Sequence, residues 1–207
     1  MRLLPCGKQS GLFVFSRRAR VLDCLVNWGN EWAVGRAHTH EEKTVSLQRA
    51  FEFLDDRKVT PDRAILIDIF GGWTAFFDNH SHEYLAQAEL FVLCERLGVV
   101  TCFFSHNGDA ASPQFGSSQF CHFTPTFETN GVTVQERQVM VYKESGWTFS
   151  QNGDPLPFEH VDRYASKRKK DRLDAELLRE YGKAIDLPFW DEKAYGHGVS
   201  LLRWRTQ

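Results

Sequence analysis

The sequence predicts an α+β fold: a mostly antiparallel sheet flanked by helices, in a single domain. Runs of β-branched and aromatic residues alternate with Gly-containing turns, which is the signature of strands and hairpins. Two segments place apolar residues at the i, i+3, i+4, i+7 spacing of one helical face. These helices bracket and interrupt the strands instead of alternating strictly with them, and this separates α+β from a doubly wound α/β arrangement. The chain has 207 residues, 42% hydrophobic and 14% aromatic, with 17 Phe and 6 Trp. That suits one domain with a sizeable core.

Residues 1–43 mix aromatic and charged side chains without a clean period, and within them only residues 21–32 read as a helix. In TVSLQRAFEFLDD, Leu47, Ala50, Phe51 and Leu54 share one helical face, with Thr44 placed to cap its start. Pro61 separates this helix from the strand AILIDIF. Gly71 and Gly72 then predict a tight hairpin into WTAFFDN, because adjacent glycines accept the positive φ angles of hairpin turns. Ser81 is placed to cap a helix that runs to Leu97 and stops at Gly98, with VVTCFF as the next strand. A Gly/Ala/Ser/Pro-rich loop leads to the strands QFCHFTPTF, VTVQERQVMVY and GWTF, and Asn152-Gly153-Asp154-Pro155 is a turn. DRLDAELLREYGKAI repeats Leu173, Leu177 and Tyr181 along one face, so residues 160–207 read as a C-terminal helical region with Asp171 available as the cap. A sheet covered by helices on one face would leave its other face, or its loop ends, open to a partner.

Lys and Arg total 25 against 27 Asp and Glu. The basic excess of a phosphate-backbone binder is missing, so nucleic acid receives no support as a partner. The longest apolar stretch is interrupted by Glu95, Arg96 and Gly98, which excludes a membrane helix there. Only five residues precede Cys6, too few for the apolar region of a signal peptide, and the expected location is cytoplasmic. Cys6, Cys24, Cys94, Cys102 and Cys121 are odd in number and never form C-x-x-C, so they read as structural thiols.

The Asp78-Asn79-His80-Ser81-His82-Glu83 stretch is the one cluster with ligand chemistry. In a strand His80 and His82 would point the same way, and Asp78 or Glu83 would add an oxygen for zinc or iron. His38 and His40, followed by Glu41 and Glu42, form a second such pair. The same residue types are also ordinary turn and cap residues at a strand-to-helix junction, and that is the preferred reading. No G-x-S-x-G, Walker A or G-x-G-x-x-G motif occurs, so no cofactor is expected. Lys167, Arg168, Lys169 and Lys170 form the strongly basic run. Large rings near turns (Trp28, Trp32, Trp73, Trp147, Phe158, Phe189, Trp190 and Trp204) would anchor an interface wherever they stand exposed, with Arg203-Trp204-Arg205 the best placed.

GGWTAFFDN, GWTFSQNGDPLPFE and the Tyr164 to Tyr181 region resemble a group of small bacterial proteins that share a WTA-x-FDN hairpin; the resemblance covers about two thirds of the chain. It implies a bacterial cytosolic protein and no catalytic residue. More loosely, a compact aromatic-rich α+β chain of this size is similar to immunity proteins that neutralise polymorphic toxins. The leading expectation is thus a non-enzymatic protein-binding module, an immunity protein whose protein partner is a toxin domain. A metal-dependent hydrolase using His80, His82 and Asp78 is the alternative, and a phage-derived or other structural assembly component is a third.

Overall fold

The computed structural model describes residue 4 and residues 10–32, 37–55, 63–79, 83–108 and 116–205. Its frame is a nine-stranded sheet in which every neighbouring pair is antiparallel. The strands are β1 (Ser10–Val14), β2 (Ala37–Thr44), β3 (Arg63–Ile69), β4 (Trp73–Asp78), β5 (Thr101–Asn107), β6 (Ser117–Glu128), β7 (Gly131–Lys143), β8 (Trp147–Asn152) and β9 (Tyr195–Arg205). Their spatial order is β2-β9-β3-β4-β1-β5-β6-β7-β8. Four α-helices accompany them among the described residues: α1 (Arg18–Trp32), α2 (Leu47–Asp55), α3 (Glu83–Leu97) and α4 (Ala175–Ala184). The α+β class read from the sequence is therefore the observed one.

Both faces of the sheet are covered, which corrects the expectation of an open face. On one face Phe13, Ile65, Ile67, Phe77, Phe104 and Phe120 pack with Ala50, Phe51 and Leu54 of α2 and with Leu177, Leu178 and Tyr181 of α4. On the other face Leu12, Leu66, Phe76, Phe103 and Phe123 pack with Val21, Leu22 and Leu25 of α1 and with Leu90, Leu93 and Cys94 of α3. The cause is visible in the strands themselves. β3 is buried at every position except Asp68, so it carries a nearly continuous apolar run rather than alternation.

The hairpin at Gly71 and Gly72 forms as expected, with φ of 93° and 89°. Gly98 ends α3 at φ 62°, its N–H donating to the Cys94 carbonyl at 2.9 Å. Two caps differ from the sequence reading. Thr44 is the last residue of β2, and the Ser46 hydroxyl accepts from the Arg49 amide instead. α4 is capped by Asp174, whose Oδ1 accepts from the Leu177 amide at 2.9 Å, while Asp171 pairs with Arg168.

Residues 160–207 are not a wholly helical region. After α4 the chain returns as β9, inserted between β2 and β3. Residues 1–43 likewise supply β1, α1 and β2, with β1 in the middle of the sheet. Among the described residues no helix is long and apolar enough to cross a membrane.

Candidate functional site

Three polar constellations occupy this frame. The first joins the sheet to the segment before α4. Arg137 on β7 is 3% exposed, and Nε and Nη2 donate to the two Glu159 carboxylate oxygens at 2.8 and 2.6 Å. Its remaining donors reach the carbonyls of Asn152 and Gly153 and the Gln151 side chain at 3.2, 2.8 and 3.0 Å. Glu159 also accepts from the Leu156 amide at 2.9 Å and from the Tyr164 hydroxyl at 2.6 Å. Burial alone would raise the Glu159 pKa, but the Arg137 fork, the Leu156 amide and the Tyr164 hydroxyl hold it below the usual value. A guanidinium has five N–H donors, and here each is taken, so Arg137 keeps none for a ligand. The constellation is a clamp that seals the 151–164 segment onto β7.

The second lies at the β2 end of the sheet. Arg18, the first residue of α1, donates through Nε to Asp68 at 3.0 Å and through Nη1 to the Ser200 hydroxyl at 2.7 Å and to Glu42, while the Ser200 hydroxyl donates to Glu42. This ties α1 across β2, β9 and β3. Glu42, an acid beside the second His-x-His pair, is thereby engaged, and Glu41 pairs with Lys43 at 3.2 Å.

The third is different in kind. Glu89 of α3 is 9% exposed, and among the described residues its Oε2 has no hydrogen-bond partner. Burial, and secondarily the Asp78 carboxylate, push its pKa up to about 8. Ser105 Oγ and Asn107 Oδ1, two residues apart on β5, are also buried without a partner. Sequence inspection passed over Glu89 although a lone acid in AELFVLC was the available signal.

The metal ligands proposed from sequence are only partly placed. His80 and His82 lie outside the described residues, as does Ser81. Asp78 ends β4 and sits in one cross-strand row with Ala64, Leu202 and His40, so Asp78 and His40 are three strand spacings apart. At ~4.8 Å per spacing this is roughly 14 Å, too wide for both to reach one ion. Among the described residues no group of three His, Cys, Asp or Glu side chains converges.

The partner-binding residues proposed from sequence fall into two separate places. Arg203, Trp204 and Arg205 belong to β9, next to the β2 edge; the side chains of Trp204 and Arg205 lie outside the described residues. Lys167, Arg168, Lys169 and Lys170 are exposed beside β8, where Arg172 lies 5.1 Å over the Phe149 ring. Seven strand spacings of ~4.8 Å separate β9 from β8, so the two cannot serve one compact patch. Of the rings singled out in the sequence, the six whose side chains are described all join a core. Trp73 and Phe189 are buried, and Trp28, Trp147, Phe158 and Trp190 pack partly buried against the two cores.

The exposed apolar surface lies elsewhere. β5 pairs with β6 only as far as Phe123, and β8 pairs with β7 only as far as Gln138. Residues 124–137 therefore form a two-stranded arm that outruns its neighbours. Phe127 on this arm is 72% exposed. Pro125 removes a backbone donor from the β6 edge, and residues 131–135 leave the β7 edge without a neighbouring strand among the described residues. The thiols Cys24, Cys94, Cys102 and Cys121 are buried and outside any disulfide, and burial pushes Cys94 up to about 12. They pack as small apolar side chains.

Comparison of the chain with protein-family models, curated proteins and solved structures finds no match. The functional reading rests on the residues above.

Proposed function

We propose that the chain is a non-enzymatic protein-binding module of the bacterial cytoplasm, an immunity-type protein that covers and neutralises a toxin domain. The observation that carries this reading is the β6–β7 arm, which presents an exposed Phe127 and an unpaired β7 edge to solvent. A free strand edge can add a partner's extended segment through main-chain hydrogen bonds, and an exposed ring supplies an anchor. The buried Arg137 clamp supports the reading from the other side, since its donors are spent on the fold.

The test is native mass spectrometry of the tagged full chain recovered from its own host, followed by expression of the co-purified protein alone and with the chain. A one-to-one complex is expected, toxic without the chain and harmless with it, and weakened at least tenfold, about 1.4 kcal/mol, by Phe127→Ala. A chain that carries no protein, or a partner that harms no cell, defeats the proposal.

A second reading, hydrolysis at the Asp78 end of β4, is favoured by one observation: the unpartnered Glu89 carboxylate lies in the field of Asp78. His80 and His82 would supply the metal ligands. Elemental analysis of the purified chain is its first test, with one metal per chain as the minimum requirement, lost in Asp78→Asn.

A further inference from the structure

Resting on the protein-binding reading above, we infer that the open β7 edge of the arm takes one kind of partner strand: an extended segment of a basic toxin domain, with apolar residues at alternate positions and Lys or Arg at its two ends. The backbone supplies the edge. The Glu136 carbonyl points to the β8 side, where a Cβ on Gly153 would lie 2.1 Å from its oxygen. The N–H and C=O groups of successive residues in a strand turn to alternate neighbours, so Val134 and Val132 turn theirs the same way, to the side that has no neighbouring strand among the described residues. Residues 131–135 carry no Pro, no Lys and no shift of register, the devices that keep an edge from pairing. The β2 edge at the other end of the sheet has Glu41, Glu42 and Lys43.

The side chains select the strand. Phe127 is opposite Val132 and Pro125 is opposite Val134, so one face of the arm is apolar. The Phe127 ring rests against Gly98, 3.0 Å from where a Cβ would sit there. Thr133 and Gln135 turn to the other face and are exposed. An added strand that alternates in the same sense extends the row Phe127–Val132 and leaves its polar residues in water. Charge fixes its ends. Glu128 is opposite Gly131, and Glu136 lies farther along β7, so at ~3.4 Å per residue the two carboxylates bracket roughly 17 Å of edge. Both are exposed, and residues 124–136 contain no Lys or Arg. The cations next to the arm are spent: Arg137 is held in the Glu159 clamp, and Arg96, at the end of α3, is forked on Glu31 at 2.8 and 2.5 Å. Glu128 accepts from the Thr133 hydroxyl at 3.1 Å, and among the described residues neither carboxylate meets a cation. A second copy of the chain would bring the same two carboxylates to the edge, where like charges repel, whereas a basic strand complements them.

The test is amide NMR on the isotope-labelled full chain, titrated with two capped peptides, Lys-Val-Thr-Val-Thr-Val-Lys and Glu-Val-Thr-Val-Thr-Val-Glu. The lysine peptide is expected to bind one to one, to move the Val132 and Val134 amides, and to bind at least tenfold more tightly than the glutamate peptide at low salt. Glu128→Gln combined with Glu136→Gln should close that gap. Val134→Pro removes an edge donor and should abolish binding. If that variant fails to fold, the lysine peptide N-methylated throughout takes its place and should not bind. Equal affinity for the two peptides, a preference for glutamate, or unmoved Val132 and Val134 amides overturns the inference. So does a dimer of the chain alone that Val134→Pro dissolves, which assigns the edge to a second copy. A toxin complex that survives Val134→Pro overturns the edge and leaves the immunity reading standing; a chain that binds the lysine peptide but recovers no toxin keeps the edge and defeats only that reading.

Discussion

Two buried carboxylates stand on opposite faces of the same sheet and behave in opposite ways. Glu159 is surrounded by donors: the Arg137 fork, the Leu156 amide and the Tyr164 hydroxyl. Its pKa is held low, and its charge is an asset to the fold. Glu89 is comparably buried with its Oε2 unpartnered, and its pKa rises to about 8. Burial is common to both; the supply of donors decides whether a buried acid stays ionised. A saturated network closes a segment of structure, whereas an orphaned carboxylate marks a place where the fold bears a cost.

The largest way to break this contrast is to open the clamp. Arg137→Ala leaves Glu159 buried and unpaired and should cost about 3–5 kcal/mol in urea unfolding, because removing one partner strands the other charge. A cost below about 1 kcal/mol would show that the clamp is not closed in solution. Gly153→Ala probes the same seam through the backbone. Gly153 has φ 76°, and an added Cβ would lie 2.1 Å from the Glu136 carbonyl oxygen, so the 151–164 segment must shift.

The next prediction concerns pH. The folded-state pKa of Glu89 is raised from 4.5 to about 8, so its contribution to stability is fully present below 4.5 and is lost as pH rises to about 8. His122, 6% exposed, is lowered from 6.5 to about 4 chiefly by burial, so its contribution is present above 6.5 and is lost as pH falls to about 4. Between 4.5 and 6.5 the two slopes have opposite signs and cancel. From pH 6.5 to 8 the Glu89 slope is no longer offset by that of His122, and the Glu89 contribution should drop by about 2 kcal/mol. Glu89→Gln should remove that drop, as measured by urea unfolding at half-unit intervals. A decline that persists in the variant assigns it to another group.

Smaller effects sharpen the same map. Asp174→Ala removes the α4 cap and should cost about 1 kcal/mol in the same assay, while Asp171→Ala, which caps nothing, should cost less than half as much. Charge reversal at Lys167, Lys169 and Lys170 should change stability by less than about 0.5 kcal/mol, since these side chains are exposed. A larger change would mean that the basic run packs on the β8 end of the sheet.

Legibility from the sequence followed the strength of local signals. The β3–β4 hairpin, α2, α4, the stop at Gly98 and the three strands from β6 to β8 were all readable, because each combines a clear hydrophobic pattern with a turn or cap residue. β2 and β9 were not. AHTHEEKT has almost no apolar content, since an edge strand with exposed, charged side chains needs none, and β9 follows a helix closely enough to be read with it. The candidate sites were read less well. Asp78, His40 and the two basic segments were visible as residue types, but cross-strand register sets their separation, and register is not local.

The sequence by itself determined the α+β class, the hairpin at Gly71 and Gly72, the helix that carries Leu177 and Tyr181, and the burial of Cys94 and Cys102. Hydrophobic periodicity and backbone preference act over a few residues, and the chain displays them directly. Only the tertiary structure decided that both sheet faces are covered, that Arg137 meets Glu159, that Glu89 Oε2 meets no donor among the described residues, and that Arg63 stands opposite Arg203. Each of those is a meeting of residues from distant strands or segments. Such meetings are set by the order β2-β9-β3-β4-β1-β5-β6-β7-β8, which global packing selects and no local stretch encodes.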